Sequence, residues 1–225
     1  INDGFTPLYI ACKSGHEGTA QLLLANGADI NLQTIDECTP LYIACQNGHD
    51  GTAQLLLAKG ADVNLQNMKG CTPLYIACQN GQDSTVQLLL ANGADVNLQT
   101  IDGCTPLRTA CNHERVSTAQ LLLANGADVN LQNMKRCTPL YISCQNGHDG
   151  TAQLLLANDA DVNLQTIDGC TPLCTACDHG HDSTARLLLA NGADVNLQTI
   201  DGCTPLRTAC NHERVSTAQL LLANG

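Results

Sequence analysis

CTPLYIACQNGHDGTAQLLLAKGADVNLQ occupies Cys38 to Gln66, and CTPLYISCQNGHDGTAQLLLANDADVNLQ occupies Cys137 to Gln165, so the chain contains two nearly identical segments. The tripeptide Thr-Pro-Leu extends this repetition, because it occurs seven times, 33 residues apart, and uses all seven prolines. Its threonines are Thr6, Thr39, Thr72, Thr105, Thr138, Thr171 and Thr204. A fixed period of this length is typical of stacked repeats, in which each unit buries its apolar face only against its neighbours.

The first half of each period predicts a short helix. Thr39 is placed to cap a helix that begins at Pro40, where the missing N–H of proline costs nothing. Leu41–Cys45 then supplies a small apolar face at helical spacing. Gly48 is a natural end for this helix.

The second half of each period predicts another helix and a loop. Thr52–Ala58, with the sequence TAQLLLA, has helical spacing of small and large apolar residues. Gly60 is expected to end this helix in the left-handed conformation. Ala61–Gly70 is too polar and too short for a third helix and predicts an extended loop or hairpin.

Three motifs in this period match the pattern of a known family. They are TPLYIA at Thr39–Ala44, the Gly-His pair at Gly48 and His49, and LLLANGADVN at Leu88–Asn97. The chain resembles an ankyrin repeat array along all 225 residues. This resemblance implies an all-α ankyrin repeat solenoid in a single domain, residues 1–225, with right-angled hairpins and a concave face formed by hairpin tips and first helices. The repeats are expected at approximately 1–33, 34–66, 67–99, 100–132, 133–165, 166–198 and 199–225.

Several positions depart from the ankyrin pattern. The family's histidine after Thr-Pro-Leu is absent, so its hydrogen bonds must be replaced or missing; its place is taken by Tyr9, Tyr42, Tyr75, Arg108, Tyr141, Cys174 and Arg207. Asn112–Val116 and Asn211–Val215, both NHERV, lack the turn Gly-His, which predicts a less regular turn. Asp159 replaces the glycine after a second helix and is expected to cost about 1 kcal/mol if its φ stays positive.

Composition and charge exclude several classes of function. The net charge is −11, but sixteen of the 21 acidic residues occupy only three phases of the period, represented by Asp29, Asp36 and Asp50. Most of this acidity is therefore expected to serve the fold, and the absence of a basic stripe argues against nucleic-acid binding. No apolar run approaches the roughly 18 residues of a membrane span, and INDGFTPL does not resemble a signal peptide, which favours a soluble chain without membrane insertion.

The fourteen cysteines fall mainly at two phases. One phase precedes the capping threonine and contains Cys38, Cys71, Cys104, Cys137, Cys170 and Cys203. The other lies on the core face of the first helix and contains Cys12, Cys45, Cys78, Cys111, Cys144, Cys177 and Cys210. Neighbouring repeats are expected to hold equivalent cysteines too far apart for disulfides, which predicts reduced thiols and an intracellular, cytoplasmic location.

Two chemical hypotheses can be compared with a structural role. Cys174, Cys177 and His181 lie at i, i+3 and i+7 and could offer zinc ligands. Cys177 with His181, or Cys45 with His49, has the residue types of a nucleophile and its base. However, a catalytic group is needed once, whereas these pairs recur through the repeats. We therefore predict no enzyme activity, no cofactor and no bound metal.

Positions that vary among repeats predict a protein-binding surface. The expected hairpin tips and the charged residues that follow them are Ile35, Asp36, Met68, Lys69, Ile101, Asp102, Met134, Lys135, Ile167, Asp168, Ile200 and Asp201. Polar pairs near the end of the first helix are Gln79, Asn80, Asn112, His113, Gln145, Asn146, Asp178 and His179. An apolar strip with a polar rim is typical of recognition surfaces, although the tip side chains could instead pack against the next hairpin.

These patterns leave more than one role open. The first hypothesis is a scaffold that binds a protein partner of unknown identity on the concave face. The alternative is a structural spacer or elastic segment of a longer ankyrin array, since residues 88–126 are identical to residues 187–225. A thiol or zinc sensor at Cys174 and Cys177 is a third hypothesis. We expect a monomer, with end-to-end stacking through uncapped terminal repeats as the alternative state.

Overall fold

Residues 4–225, which the computed structural model describes, form fourteen α-helices in seven pairs and contain no strand. The helices are α1 Pro7–Lys13, α2 Glu17–Ala25, α3 Pro40–Gln46, α4 Asp50–Ala58, α5 Pro73–Asn80, α6 Asp83–Ala91, α7 Pro106–Asn112, α8 Val116–Ala124, α9 Pro139–Asn146, α10 Asp149–Leu156, α11 Pro172–His179, α12 Asp182–Ala190, α13 Pro205–Asn211 and α14 Val215–Leu222. Within this part of the chain, no helix combines the length and the apolar character that crossing a membrane requires.

The first helix of each pair begins as the sequence predicts. The Thr39 hydroxyl oxygen accepts a hydrogen bond from the backbone N–H of Tyr42 at 3.0 Å, and Pro40 occupies the first helical position. The same capping bond is made by Thr6, Thr72, Thr138, Thr171 and Thr204. This cap satisfies an N–H group that would otherwise lack a partner at the helix start.

The expectation of a less regular turn in the two NHERV segments is wrong. Glu114 and Glu213 each adopt a φ of 54°, the left-handed conformation that Gly48 adopts at 71° in another repeat. The N–H of Arg115 still bonds to the carbonyl of Ala110 at 2.9 Å, so the turn keeps its hydrogen bonds. The stack therefore imposes the glycine conformation on glutamate, with a cost of roughly 1–2 kcal/mol per residue.

The loop after each second helix also needs a left-handed residue. Gly60 has a φ of 88°, as predicted, and Asp159 keeps a φ of 63° at the equivalent position. Both N–H groups that follow bond back to the helix, since Ala61 and Ala160 reach the carbonyls of Leu56 and Leu155 at 3.0 and 3.1 Å. Asp159 is therefore held in a conformation that glycine adopts more easily.

We expect Asp159→Gly to raise the free energy of unfolding by about 1 kcal/mol, because glycine removes the penalty of the positive φ. Gly192→Asp is the matched control in the next repeat, where φ is 84° and an added Cβ meets nothing within 4 Å. This control should lower stability by a similar amount. Urea unfolding measures both changes, and equal stability of all three proteins would contradict the argument.

Leucine, alanine and cysteine form the core. Leu41, Ala44 and Cys45 of α3 are each at most 1% exposed, which confirms the predicted apolar face. In the Leu-Leu-Leu run of α4, only the middle residue, Leu56, is fully buried. Its fully buried equivalents are Leu89, Leu122, Leu155 and Leu188. Small Ala53 beside Leu56 lets neighbouring helices approach closely, as in other helical packings.

The chain divides into two compact units. Unit 1 runs to Pro106 and includes Ala124–Gly126; in it, α3 packs against both α1 and α5. Unit 2 contains Leu107–Leu123 and Ala127–Gly225; in it, α11 packs against both α9 and α13. Each unit thus has its own stack of first helices.

Acidic residues at the phase of Asp50 join one repeat to the next in both units, as expected for acids that serve the fold. In unit 1, the Asp50 carboxylate accepts hydrogen bonds from the hydroxyls of Ser84 and Thr85 in the following repeat. In unit 2, the Asp182 carboxylate accepts equivalent bonds from Ser216 and Thr217, which lower the pKa of Asp182. These carboxylates are satisfied by the stack.

Candidate protein-binding surface

The tip side chains are exposed to solvent. Within residues 4–225, the six tips are between 54% and 73% exposed: Ile35, Met68 and Ile101 in unit 1, and Met134, Ile167 and Ile200 in unit 2. Their side chains therefore do not pack into the next hairpin. Apolar side chains of this size in a row are unusual on a protein surface unless another molecule covers them.

Backbone hydrogen bonds hold the tips in sequence. Each loop is closed locally, as where the N–H of Thr34 bonds to the carbonyl of Cys38 at 3.1 Å. Four of the tips are also tied to the preceding hairpin of the same unit, namely Met68, Ile101, Ile167 and Ile200. In unit 1, the N–H of Ile101 bonds to the carbonyl of Lys69 at 3.1 Å, and in unit 2 the N–H of Ile200 bonds to the carbonyl of Asp168 at 3.0 Å. The spacing of the tips is thus set by main-chain contacts.

Charged side chains accompany the tips in each unit. Asp36, Lys69 and Asp102 are exposed in unit 1. The corresponding residues of unit 2, all exposed, are Lys135, Asp168 and Asp201. Each unit therefore presents three apolar tips flanked by both signs of charge, an arrangement that favours a partner with mixed charge.

Some of the predicted polar residues also serve the stack. In unit 1, the Asn80 side-chain amide donates to the carbonyl of Gln46 in the preceding repeat at 3.0 Å. In unit 2, the Asn146 amide donates to the carbonyl of Asn112 at 3.3 Å. Asn80 and Asn146 thus hold neighbouring repeats together, although both are exposed.

A groove in unit 1 brings several predicted residues together. It has a volume of about 560 Å³ and is lined by Asp36, Met68, Lys69, Gln79 and Asn80, among others. Its lining also includes Tyr9 and Tyr42, which the sequence marked only as replacements for the family histidine. Tyrosine is enriched at binding hot spots. The tyrosines that follow Thr-Pro-Leu could therefore have been predicted from the sequence as part of the binding surface.

A second groove lies in unit 2 and has a volume of about 340 Å³. The predicted residues in its lining are Gln145, Asp168, Asp178, His179 and Asp201. The remaining predicted residues of unit 2, Asn112, His113, Met134, Lys135, Asn146, Ile167 and Ile200, are not part of this lining. The second groove is therefore more polar than the tip residues alone suggest.

The groove of unit 2 contains residues that the sequence analysis missed. His212 contacts Asp178 with its Nε2 atom 2.8 Å from the carboxylate. Cys174 stands where other repeats have tyrosine or arginine, and its sulfur lies 3.5 Å from the Thr208 hydroxyl. Cys170 lines the same groove. Cys170 was missed as a member of this groove because Cys174 was compared only with residues of its own helix and turn, Cys177, His179 and His181.

The structure separates the proposed zinc ligands. Cys177 is fully buried, and burial raises the pKa of its thiol to about 12. His181 instead makes a 3.2 Å hydrogen bond from Nε2 to the carbonyl of Gln145 in the preceding repeat. Across residues 4–225, no three His, Cys, Asp or Glu side chains converge as metal ligands would.

The thiols on the core face are poor nucleophiles. Burial raises the pKa of Cys45 well above its usual range, so the thiolate needed for attack is scarce near neutral pH. His49, the candidate base, instead makes a hydrogen bond between Nε2 and the carbonyl of Lys13 at 3.1 Å. In the described part of the chain, no disulfide joins any of the fourteen cysteines.

Comparison with known proteins identifies the relatives of this fold. The family model described as ankyrin repeats (3 copies) matches residues 30–100, 74–166 and 140–225, and the single ankyrin repeat model matches residues 3–35. No curated protein sequence matches the chain. The crystal structure of the human ASB11 ankyrin repeat domain is 30% identical, with a TM-score of 0.86 and 98% coverage of both chains.

The ankyrin repeat domain of Bcl-3, described as a unique member of the IkappaB protein family, is also 30% identical. Its TM-score is 0.85, and the match covers 96% of this chain and 99% of that domain. Helix pairs, capping threonines and hairpin turns with this period agree with both similarities. The chain belongs to the ankyrin repeat family.

Proposed function

We propose that this protein is a non-enzymatic scaffold that binds a protein partner on the hairpin tips and the ends of the first helices. Ankyrin repeats generally mediate protein–protein interaction, and nothing in the described residues points to catalysis. The observation that carries the proposal is the exposure of all six apolar tips. Removing exposed apolar side chains from water lowers the free energy of the system. A partner that covers the tips would therefore be bound favourably.

The chemistry of the two grooves indicates the kind of partner. In unit 1, Met68 lies beside Asp36 and Lys69, so an apolar anchor with a charged residue of either sign nearby would be accommodated. Met68 adapts its shape more easily than a branched side chain does. An extended or helical segment of a protein with alternating apolar and charged residues fits this surface best.

A few anchors are expected to dominate the affinity, as in most interfaces. The tip variant Ile35→Arg, Met68→Glu and Ile101→Arg places charge on three exposed residues of unit 1. Retention of specific proteins from a reduced cell lysate should fall at least about tenfold, because each anchor loses its apolar contact. Quantitative mass spectrometry of photo-crosslinked complexes measures retention and identifies the contacted residues.

The matched control changes the outer face of the second helices. Gln21→Arg, Gln54→Glu and Gln87→Arg introduce the same change of charge at exposed positions of the first three repeats, which also belong to unit 1. This control should retain the proteins that the parent retains. If the tip variant folds and still retains the same proteins as the control, the proposed surface is wrong.

A spacer or elastic segment is the second candidate, and near-identity of the repeats favours it. Residues 88–126 are identical to residues 187–225, although a surface specific for one partner would be expected to differ between copies. Single-molecule stretching distinguishes the two functions. A spacer should unfold and refold repeat by repeat under force with no bound partner.

We propose an intracellular, cytoplasmic location, because the cysteines are reduced.

We propose that the protein is a monomer with a single ankyrin domain. End-to-end stacking is the competing state, because Cys210, Val215 and Leu222 are exposed on the last helix pair. Sedimentation velocity over a range of concentrations distinguishes the two states.

A further inference from the structure

We propose that the groove of unit 1 binds a proline-rich segment of a partner protein in the polyproline II conformation. This inference rests on the proposed function, because it names the kind of segment that one part of the proposed surface receives. The feature that carries it is a row of tyrosines on neighbouring first helices. This tyrosine row consists of Tyr9, Tyr42 and Tyr75, which follow Thr-Pro-Leu in the first three repeats.

Two members of the tyrosine row have hydroxyl groups without a partner. Tyr9 and Tyr42 are only 6% and 7% exposed, and both line the groove. Within residues 4–225, the hydrogen bonds of these two residues involve the backbone, and neither hydroxyl bonds to another residue. A polar group buried to this degree costs free energy unless it is hydrogen-bonded. An occupant of the groove that offers acceptors would therefore remove this cost.

The tyrosine rings are held in place by their neighbours. Phe5, the one phenylalanine of the chain, stacks on Tyr9 with ring centroids 5.0 Å apart. Tyr42 belongs to α3, which packs against both α1 and α5. Burial raises the pKa of the Tyr9 and Tyr42 phenols, so both stay protonated and can donate. Side chains that are already ordered lose little conformational entropy when they bind a ligand.

A second row of polar side chains lies one helical turn from the tyrosine row. Gln46 follows Tyr42 by four residues, and Gln79 follows Tyr75 by four residues, so each pair shares a helix face. Gln46 and Gln79 both line the groove. A glutamine amide both donates and accepts, so it can bond to a peptide backbone. The groove thus offers hydrogen-bonding groups in two parallel rows.

The distance between repeats favours one backbone conformation for the segment. Packed helices lie about 8–10 Å apart, so the tyrosines on α1, α3 and α5 recur at about that interval. A polyproline II helix returns to the same face every three residues, or about 9.3 Å. A β-strand does so every two residues, or about 6.7 Å, and therefore falls out of step with the repeats.

An α-helix fits the interval but does not offer the acceptors. Seven residues of an α-helix advance about 10.5 Å, but the backbone carbonyls are bonded within the helix. A polyproline II helix has no internal hydrogen bonds, so its carbonyls are free to accept from Tyr9 and Tyr42. Grooves lined by aromatic residues recognise proline-rich segments in several kinds of domain. The unpartnered hydroxyls therefore favour polyproline II over a helix.

The lining also indicates the composition of the segment. Its charged side chains are Asp36 and Lys69, which balance each other. Met68 and Ile76 contribute apolar surface, and Met68 is 54% exposed. A segment of prolines and other apolar residues fits this lining better than a strongly charged segment does. Unit 2 has one tyrosine at this phase, Tyr141, so the tyrosine row is a feature of unit 1.

Phage display of sixteen-residue peptides on the 225-residue chain tests the proposal. Three libraries are compared: one with proline at every third position, one with alternating β-branched residues, and one with apolar residues at helical spacing. Sixteen residues of polyproline II span about 50 Å, which is enough to reach three neighbouring repeats. The proline library should be enriched at least about tenfold over the other two. Enrichment of another library, or of none, would overturn the assignment.

Failure of this inference can be told apart from failure of the proposed function. If the tip variant loses lysate proteins that the parent retains, but the proline library is not enriched, the surface binds proteins through another kind of segment. If the parent retains neither lysate proteins nor peptides, the proposed function fails as well.

Removing the two hydroxyls tests the contact itself. Tyr9→Phe with Tyr42→Phe keeps both rings and should be at least as stable in urea as the parent, because neither hydroxyl has a partner within residues 4–225. Its affinity for the selected proline-rich peptide, measured by fluorescence anisotropy, should fall about tenfold through the loss of two hydrogen bonds. Tyr141→Phe in unit 2 is the matched control and should bind the peptide as the parent does. If the double variant also binds like the parent, the tyrosine hydroxyls do not receive the segment and the proposal fails.

Discussion

Raising the pH from 7 to 10 under reducing conditions is expected to remove most of the stability of this protein. The cause is the set of cysteines on the core face of the first helices. Burial raises the pKa of these thiols, in several cases to about 12: Cys12, Cys45, Cys78, Cys111, Cys144 and Cys177. The folded chain therefore keeps protons that the unfolded chain loses.

The sign follows from proton binding in the two states. An unfolded cysteine loses its proton above about pH 8.5, whereas the buried thiol stays protonated until about pH 12. Above pH 8.5 the unfolded state binds fewer protons, so the free energy of unfolding falls as the pH rises. Each buried thiol makes its full contribution to the free energy of unfolding below pH 8.5. At pH 10 this contribution is about 1–2 kcal/mol smaller for each thiol.

Six such losses together are comparable with the whole stability of a typical domain. Urea unfolding at pH 7, 8.5 and 10 with a reductant measures the effect. Cys45→Ala with Cys144→Ala should make the dependence on pH less steep, whereas Cys210→Ala should not, because Cys210 is exposed. A free energy of unfolding that stays constant from pH 8 to pH 10 would contradict the prediction.

Replacing a single core leucine has the next largest expected effect. Leu155→Ala should lower the free energy of unfolding by about 2–5 kcal/mol, because Leu155 is fully buried and its loss leaves a cavity between helices. In a stacked array the cavity also weakens the contact with the neighbouring repeat. Urea unfolding measures the loss, and the variant should unfold at a lower urea concentration than the parent protein.

The adjacent leucine is the matched control for this variant. Leu154 has the same side chain on the same helix but is only half-buried. Leu154→Ala should cost less than half as much as Leu155→Ala, because water already reaches its surroundings. Equal losses for the two variants would show that burial of the middle leucine does not govern the stability of the stack.

The period of 33 residues predicted a stack of repeated units, and the resemblance of its motifs to the family pattern implied the ankyrin fold. Helix starts at Thr39 and Pro40, the left-handed turn at Gly60, and the buried face of Leu41–Cys45 depend on backbone preferences and on residues within one repeat. Such preferences act over a few residues, and the sequence records them directly. Repetition then shows that the same local structure must be stacked.

Other features depend on contacts between repeats and appear only in the folded chain. Two of these features are contacts between repeats: the bond from Asn80 to Gln46 and the pairing of His212 with Asp178. A third is the glycine-like φ of Glu114, which the packing of the repeat imposes. The exposure of the tips is a result of the same kind, because it depends on where the next hairpin lies. A periodic sequence specifies each unit, but the rise and rotation between units decide which side chains meet and which remain open to a partner.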